Sequence, residues 1–199
     1  MIGGLHTVAA NSQKHAYVPR RLAFVEGGIG QAFRLIPRFE VKEYVIQLTE
    51  TENPDVTNLF IQIIPECMTE SPVHECRGRL LLVSKRNSHE NEWTATQMNS
   101  PLFLGWDYYG HGPFTLEPGI RQRLNVCWWS SVSHLIIPSV DPLPSKFRAV
   151  FGSGRIFKFD IRITAKDCPP VDVSVTVSLE GREWNKPIIE LIQKGPNGN

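Results

Sequence analysis

Hydrophobic and polar residues alternate with a period of two in the C-terminal part of the chain. Phe157, Phe159, Ile161 and Ile163 share one parity, and Ile156, Lys158, Asp160 and Arg162 share the other. Val171, Val173, Val175, Val177 and Leu179 alternate in the same way with Asp172, Ser174, Thr176 and Ser178. Successive side chains of a strand point to opposite faces, so each run reads as a strand with one buried and one wet face, the pattern of an antiparallel sheet. Between them, Asp167-Cys168-Pro169-Pro170 reads as a tight connector, because proline has no N–H to donate to a ladder.

Upstream, short β-branched or aromatic runs are closed by Pro, Gly, Asn or Asp. They predict strands at Leu22–Val25, Tyr44–Thr49, Asn58–Ile64, Arg79–Ser84, Leu102–Trp106 and Arg123–Trp129, with the two C-terminal strands at Arg155–Thr164 and Val171–Leu179. Phe39–Leu48 also fits a helix, since Val41, Tyr44, Val45 and Leu48 fall at i, i+3, i+4 and i+7. Several short strands without βαβ alternation predict an all-β, antiparallel β-sandwich. The expected organisation is a flexible N-terminal tail over 1–20, a sandwich domain over 21–193 and a flexible C-terminal tail over 194–199.

Composition narrows the setting. The chain has 199 residues, 41% of them hydrophobic and 21% charged, which is ordinary globular usage. A formal net charge of +1 argues against gripping nucleic acid over a broad face. The N-terminus lacks the apolar run of a signal peptide, and no stretch approaches the roughly 20 apolar residues of a membrane span. A cytoplasmic location is therefore expected, with the four cysteines Cys67, Cys76, Cys127 and Cys168 as free thiols.

A series of segments carries a family likeness: Ser71-Pro72-Val73-His74-Glu75-Cys76-Arg77-Gly78-Arg79-Leu80, Pro101-Leu102-Phe103-Leu104-Gly105-Trp106, Leu116-Glu117-Pro118-Gly119, and Ile163-Thr164-Ala165-Lys166-Asp167-Cys168-Pro169-Pro170 ahead of Val171–Leu179 and Trp184. This order resembles a group of bacterial and archaeal immunoglobulin-like modules over about 53–184. The resemblance implies an immunoglobulin-like sandwich and carries no catalytic set with it. The chain departs from that form in the aromatic segment Trp106–Tyr109 and in the long connection Ser130–Gly154.

Candidate chemistry is sparse. Cys67, His74 and Cys76 are metal-ligand types but lack the paired Cys-x2–4-Cys spacing of a structural zinc site, so no metal is expected. His111 and His134 stand near Asp107 and Ser133 without a nucleophile elbow, and Gly27-Gly28-Ile29-Gly30 lacks the rest of a phosphate-binding fingerprint. Neither an enzymatic activity nor a cofactor is expected. The basic residues Lys14, Arg20 and Arg21 read as a solvated tail.

The stretch with most to offer is Trp106-Asp107-Tyr108-Tyr109-Gly110-His111-Gly112, where large rings with polar ends sit in a glycine-flanked connection. Trp128 and Trp129 add a second question, since adjacent strand residues face opposite ways. The expected binding residues are Trp106, Asp107, Tyr108, Tyr109, His111 and Trp129. The expected function is a non-catalytic interaction module that meets a protein partner or another copy of itself through loops at one end. This requires exposed aromatic area and no convergent polar pocket. The alternative is a carbohydrate or other small-ligand binder, or a hydrolase, using 106–112, which requires a concave site with polar groups turned inward.

Overall fold

A computed structural model of the chain describes residues 38–87, 89–95, 102–107, 109–141, 143, 156–178 and 183–194. All of them belong to a compact unit spanning Leu35–Asn199. The predicted tail 1–20, the predicted strand Leu22–Val25 and the turn Gly27–Gly30 lie outside the described residues.

Among the described residues the elements are all strands: β1 (Phe39–Glu50), β2 (Thr57–Cys67), β3 (Val73–Arg86), β4 (Thr94–Ala95), β5 (Leu102–Phe103), β6 (Phe114–Leu116), β7 (Leu124–Ser130), β8 (Ser133–Pro138), β9 (Ile156–Ala165), β10 (Cys168–Ser178) and β11 (Ile188–Lys194). Strand β11 ends at Lys194, the first residue of the predicted C-terminal tail, and 195–199 lie outside the described residues. No helix among the described residues is long and apolar enough to cross a membrane.

The strands form two antiparallel sheets. One runs β1-β2-β7-β8, and the other runs β11-β10-β9-β3. Along the far edge of β3 the short strands lie end to end: β6 against Val73 and Cys76, β5 against Arg79 and Leu80, β4 against Ser84 and Lys85. The inner faces of both sheets feed one buried cluster, which joins Leu59, Ile61 and Ile63 of β2 and Trp129 of β7 to the apolar parities of β9 and β10. In β9 and β10, Phe157 stands opposite Val177, Phe159 opposite Val175 and Ile161 opposite Val173, all buried. Each such side chain contributes about 1.5–3 kcal/mol by leaving water. On the wet face, Arg162 holds both carboxylate oxygens of Asp172 at 2.7 Å, which lowers the Asp172 pKa and raises that of Arg162.

Three local irregularities change what the alternation means. A bulge at Lys42 breaks the β1 register, so Phe39 and Val41 share a face with Tyr44, Ile46 and Leu48 across the skip. One extra residue turns an i+2 step into i+3, and that spacing is what resembled a helix over 39–48. A bulge at Leu81 likewise puts Leu80 and Val83, three apart, into the core. The third concerns the predicted connector at 167–170. The turn is confined to Lys166–Asp167, and β10 starts at Cys168. Pro169 and Pro170 sit within the register shift between Cys168 and Val171, before β11 pairs from Asp172 onward, so neither proline is asked for a ladder N–H.

The described cysteines are free thiols. Cys76 and Cys127 are fully buried, and burial pushes the Cys76 thiol up to about 12 and the Cys127 thiol up as well. Because the thiolate is the reactive form, brief iodoacetamide treatment of the folded protein should leave both unmodified by mass spectrometry. Both should be labelled in urea. Labelling of Cys127 under native conditions would contradict its place in the core.

Candidate functional site

The segment after β5 does not continue along β3 as the predicted strand Leu102–Trp106 would. Leu104 N–H still donates to the Gly78 carbonyl at 3.0 Å, but Gly105 N–H donates to Ser139 at 3.2 Å and Asp107 N–H to Arg123 at 2.9 Å. The chain thus passes from the edge of one sheet to the other. Asn125 N–H returns a bond to the Gly105 carbonyl at 2.9 Å, and Ser139 N–H donates to Val126 at 2.9 Å. Backbone bonds therefore hold residues 105, 125 and 139 in one frame.

Beyond it the chain turns tightly, with Trp106 N–H donating to Gly110 at 2.7 Å and Gly110 at a φ of +72°, a conformation that disfavours a side chain. The turn does not present a row of rings. Trp106 is 2% exposed and packs on Phe114 at 5.5 Å, whereas Tyr109 is 58% exposed and rests on the same ring at 4.6 Å. Asp107 is half-buried, His111 is exposed, and Tyr108 lies outside the described residues. His111 packs close to Gly105, where an added Cβ would meet its Nε2 at 3.1 Å.

Trp129, expected as a binding residue, belongs to the core. It stands opposite Leu59, is fully buried, and donates its indole N–H to the Trp184 carbonyl at 2.8 Å. The outward ring of the pair is Trp128, opposite Phe60 on β2 and Ile137 on β8. The phase of β7 decides this, and a bulge beside Cys127 sets that phase.

Trp128 floors an open hollow of about 740 Å³ on the outer face of the β1-β2-β7-β8 sheet. Two rows of side chains cross it. The apolar row is Phe60, Trp128 and Ile137, with the two rings 6.1 Å apart and inclined by 27°. The polar row is Asn125 and Ser139, with Gln62 behind it. Gln62 Nε2 donates to Asn125 Oδ1 at 2.7 Å, which turns the Asn125 amide so that its Nδ2 donors are left for another acceptor. Trp106 and His111 close the wall on one side and Asp141 stands at the rim. Trp106 Nε1 and Ser139 Oγ in this wall, and Gln62 Oε1 behind it, are buried without a hydrogen-bond partner among the described residues. Leaving such groups unpaired costs about 1–3 kcal/mol each.

The other residues singled out for chemistry are not assembled into a site. Cys67 Sγ donates to the Thr69 and Ser71 carbonyls and Cys76 Sγ to Val73, while His74 lies on the surface 3.4 Å from Thr115 Oγ1. Among the described residues no three His, Cys, Asp or Glu side chains converge as metal ligands. Nothing is described of the His134 side chain. A second hollow of about 420 Å³ at His74, Glu75, Lys166 and Asp167 is lined by opposite charges, with Lys166 3.9 Å from Glu75.

Phe60, Asn125 and Ser139 were not signalled by the sequence, because each is an ordinary outward strand residue until its neighbours are known. Comparisons with protein-family models, with curated proteins and with solved structures return no match.

Proposed function

We propose that this chain carries a non-catalytic binding domain, an immunoglobulin-like sandwich that takes a small organic ligand in the hollow on the outer face of one sheet. The observation that carries this reading is the pairing of the Phe60 and Trp128 rings with the Asn125 amide, whose Nδ2 is left for another acceptor, on a wall held by one backbone frame. Binding sites for small molecules combine apolar lining with a few placed polar groups in just this proportion. The arrangement supports the small-ligand alternative over a protein partner docking on the aromatic loop, since Trp106 and Trp129 are buried and of the described loop rings only Tyr109 is exposed.

A ligand-observed NMR screen of a fragment library tests this. Hits should lose their signal with Trp128→Ala and with Ile137→Asp, both outward positions whose variants should stay folded. Loss of the Trp128 ring should weaken binding at least about tenfold, equivalent to about 1.4 kcal/mol. Hits that bind both variants as well as the wild type, or a library without hits, would overturn the reading.

A further inference from the structure

We infer that the ligand of the hollow is a neutral carbohydrate, a short saccharide with one ring lying on Trp128 and its hydroxyls meeting the polar row. This rests on the hollow being the binding site. The lining itself eliminates other classes. None of the described residues that line it is Lys or Arg, and the one charged carboxylate, Asp141, is at the rim. A phosphate or carboxylate ligand would find no counter-charge there and would meet a like charge on entry. A purely apolar ligand would cover the rings but shut the Asn125 amide and the Asp141 carboxylate off from water without a partner, which penalises it against any ligand that can pair them.

What fits is a molecule with an apolar face and a perimeter of neutral groups that both donate and accept. The lining offers a donor at Asn125 Nδ2, an acceptor at the exposed Asp141, and the His111 ring, whose nitrogens can do either. Sugar hydroxyls match such a mixed set. The C–H face of a pyranose suits an aromatic surface such as Phe60 and Trp128 present side by side. The volume, about 740 Å³, lies well inside the range of drug-sized sites and exceeds what a single sugar ring fills. Polar and apolar rows side by side also define the pose: the ring lies over Trp128 and its hydroxyl edge points toward Asn125.

Saturation-transfer NMR on the full chain with glucose-, galactose-, mannose- and N-acetylglucosamine-based disaccharides tests the inference, with sialyllactose, neutral nucleosides and a naphthalene probe as comparison arms. At least one neutral disaccharide should bind, with saturation strongest on the C–H protons of one ring face. Trp128→Ala should weaken it tenfold or more and Asp141→Ala by several-fold, while sialyllactose binds less well than lactose. If nucleosides or naphthalene bind in a Trp128-dependent way and no neutral disaccharide does, the carbohydrate assignment fails and the hollow stands as a binding site. If a disaccharide binds Trp128→Ala and Asp141→Ala as well as wild type, the assignment to this hollow fails. Silence from every probe overturns both.

Discussion

Replacing Trp129 with alanine should destabilise the fold by about 3–5 kcal/mol, the range for emptying a buried large aromatic position. The ring is fully buried, is among the largest side chains in the core, and gives its N–H to the Trp184 carbonyl, so the substitution opens a cavity and strands an acceptor. The residue beside it should behave in the opposite way. Trp128 lies half-buried on the outer face over Phe60, and Trp128→Ala should move stability by less than about 1.5 kcal/mol while removing the floor of the hollow. Urea unfolding of the two variants, read at constant m, compares them directly. A larger loss for Trp128→Ala than for Trp129→Ala would mean that β7 has the reverse phase.

The second large effect is expected at Gly78. A Cβ there would stand 2.5 Å from Leu124 Cδ2 and 2.8 Å from Cδ1. Leu124 is fully buried and pairs with Ile63 and Trp106, so it has nowhere to retreat. Gly78→Ala should cost about 1–3 kcal/mol through overpacking. It should also loosen the crossing at 104–106, because the Gly78 carbonyl accepts from Leu104. The diagnostic is a double-mutant cycle: Gly78→Ala combined with Leu124→Ala should cost clearly less than the sum of the two alone, since each relieves the other's steric fault. Additive effects would show that the two positions do not meet. Gly110 and Gly119 differ in kind, because a Cβ meets nothing within 4 Å at either and only their positive φ values, +72° and +75°, resist substitution.

How much of this was legible depends on whether neighbours along the chain or across it decide a residue's place. The alternations at 156–163 and 171–177 announced β9 and β10 because both strands keep their phase over the stretch that faces the core. The bulge at Lys42 erased that regularity in β1 and produced a helical spacing out of a strand. Strand β8 went unread inside what looked like a long connection, since Ser133 and Pro138 at its ends are turn formers, and Pro138 closes the ladder instead of breaking it. At the hollow, the doublet of tryptophans announced that one ring faces outward, but naming it required the register of β7 against β2. The polar row is a cross-strand feature, since Gln62, Asn125 and Ser139 are brought together only by pairing.

The free margins of the sheets bear on polymerisation. Strand β3 is sheathed by three fragments of two or three residues each, so it offers an incoming chain no long unbroken row of amide and carbonyl groups. Strand β1, twelve residues long, has no such sheath among the described strands, and its inner-face residues Tyr44, Ile46 and Leu48 are exposed. Its protection is the bulge at Lys42, flanked by the exposed Glu43, which pairs with Arg121. A chain adding itself there would have to copy the kink and strip water from those charges. On this edge, an irregularity that otherwise looks like a flaw in the strand works against strand addition.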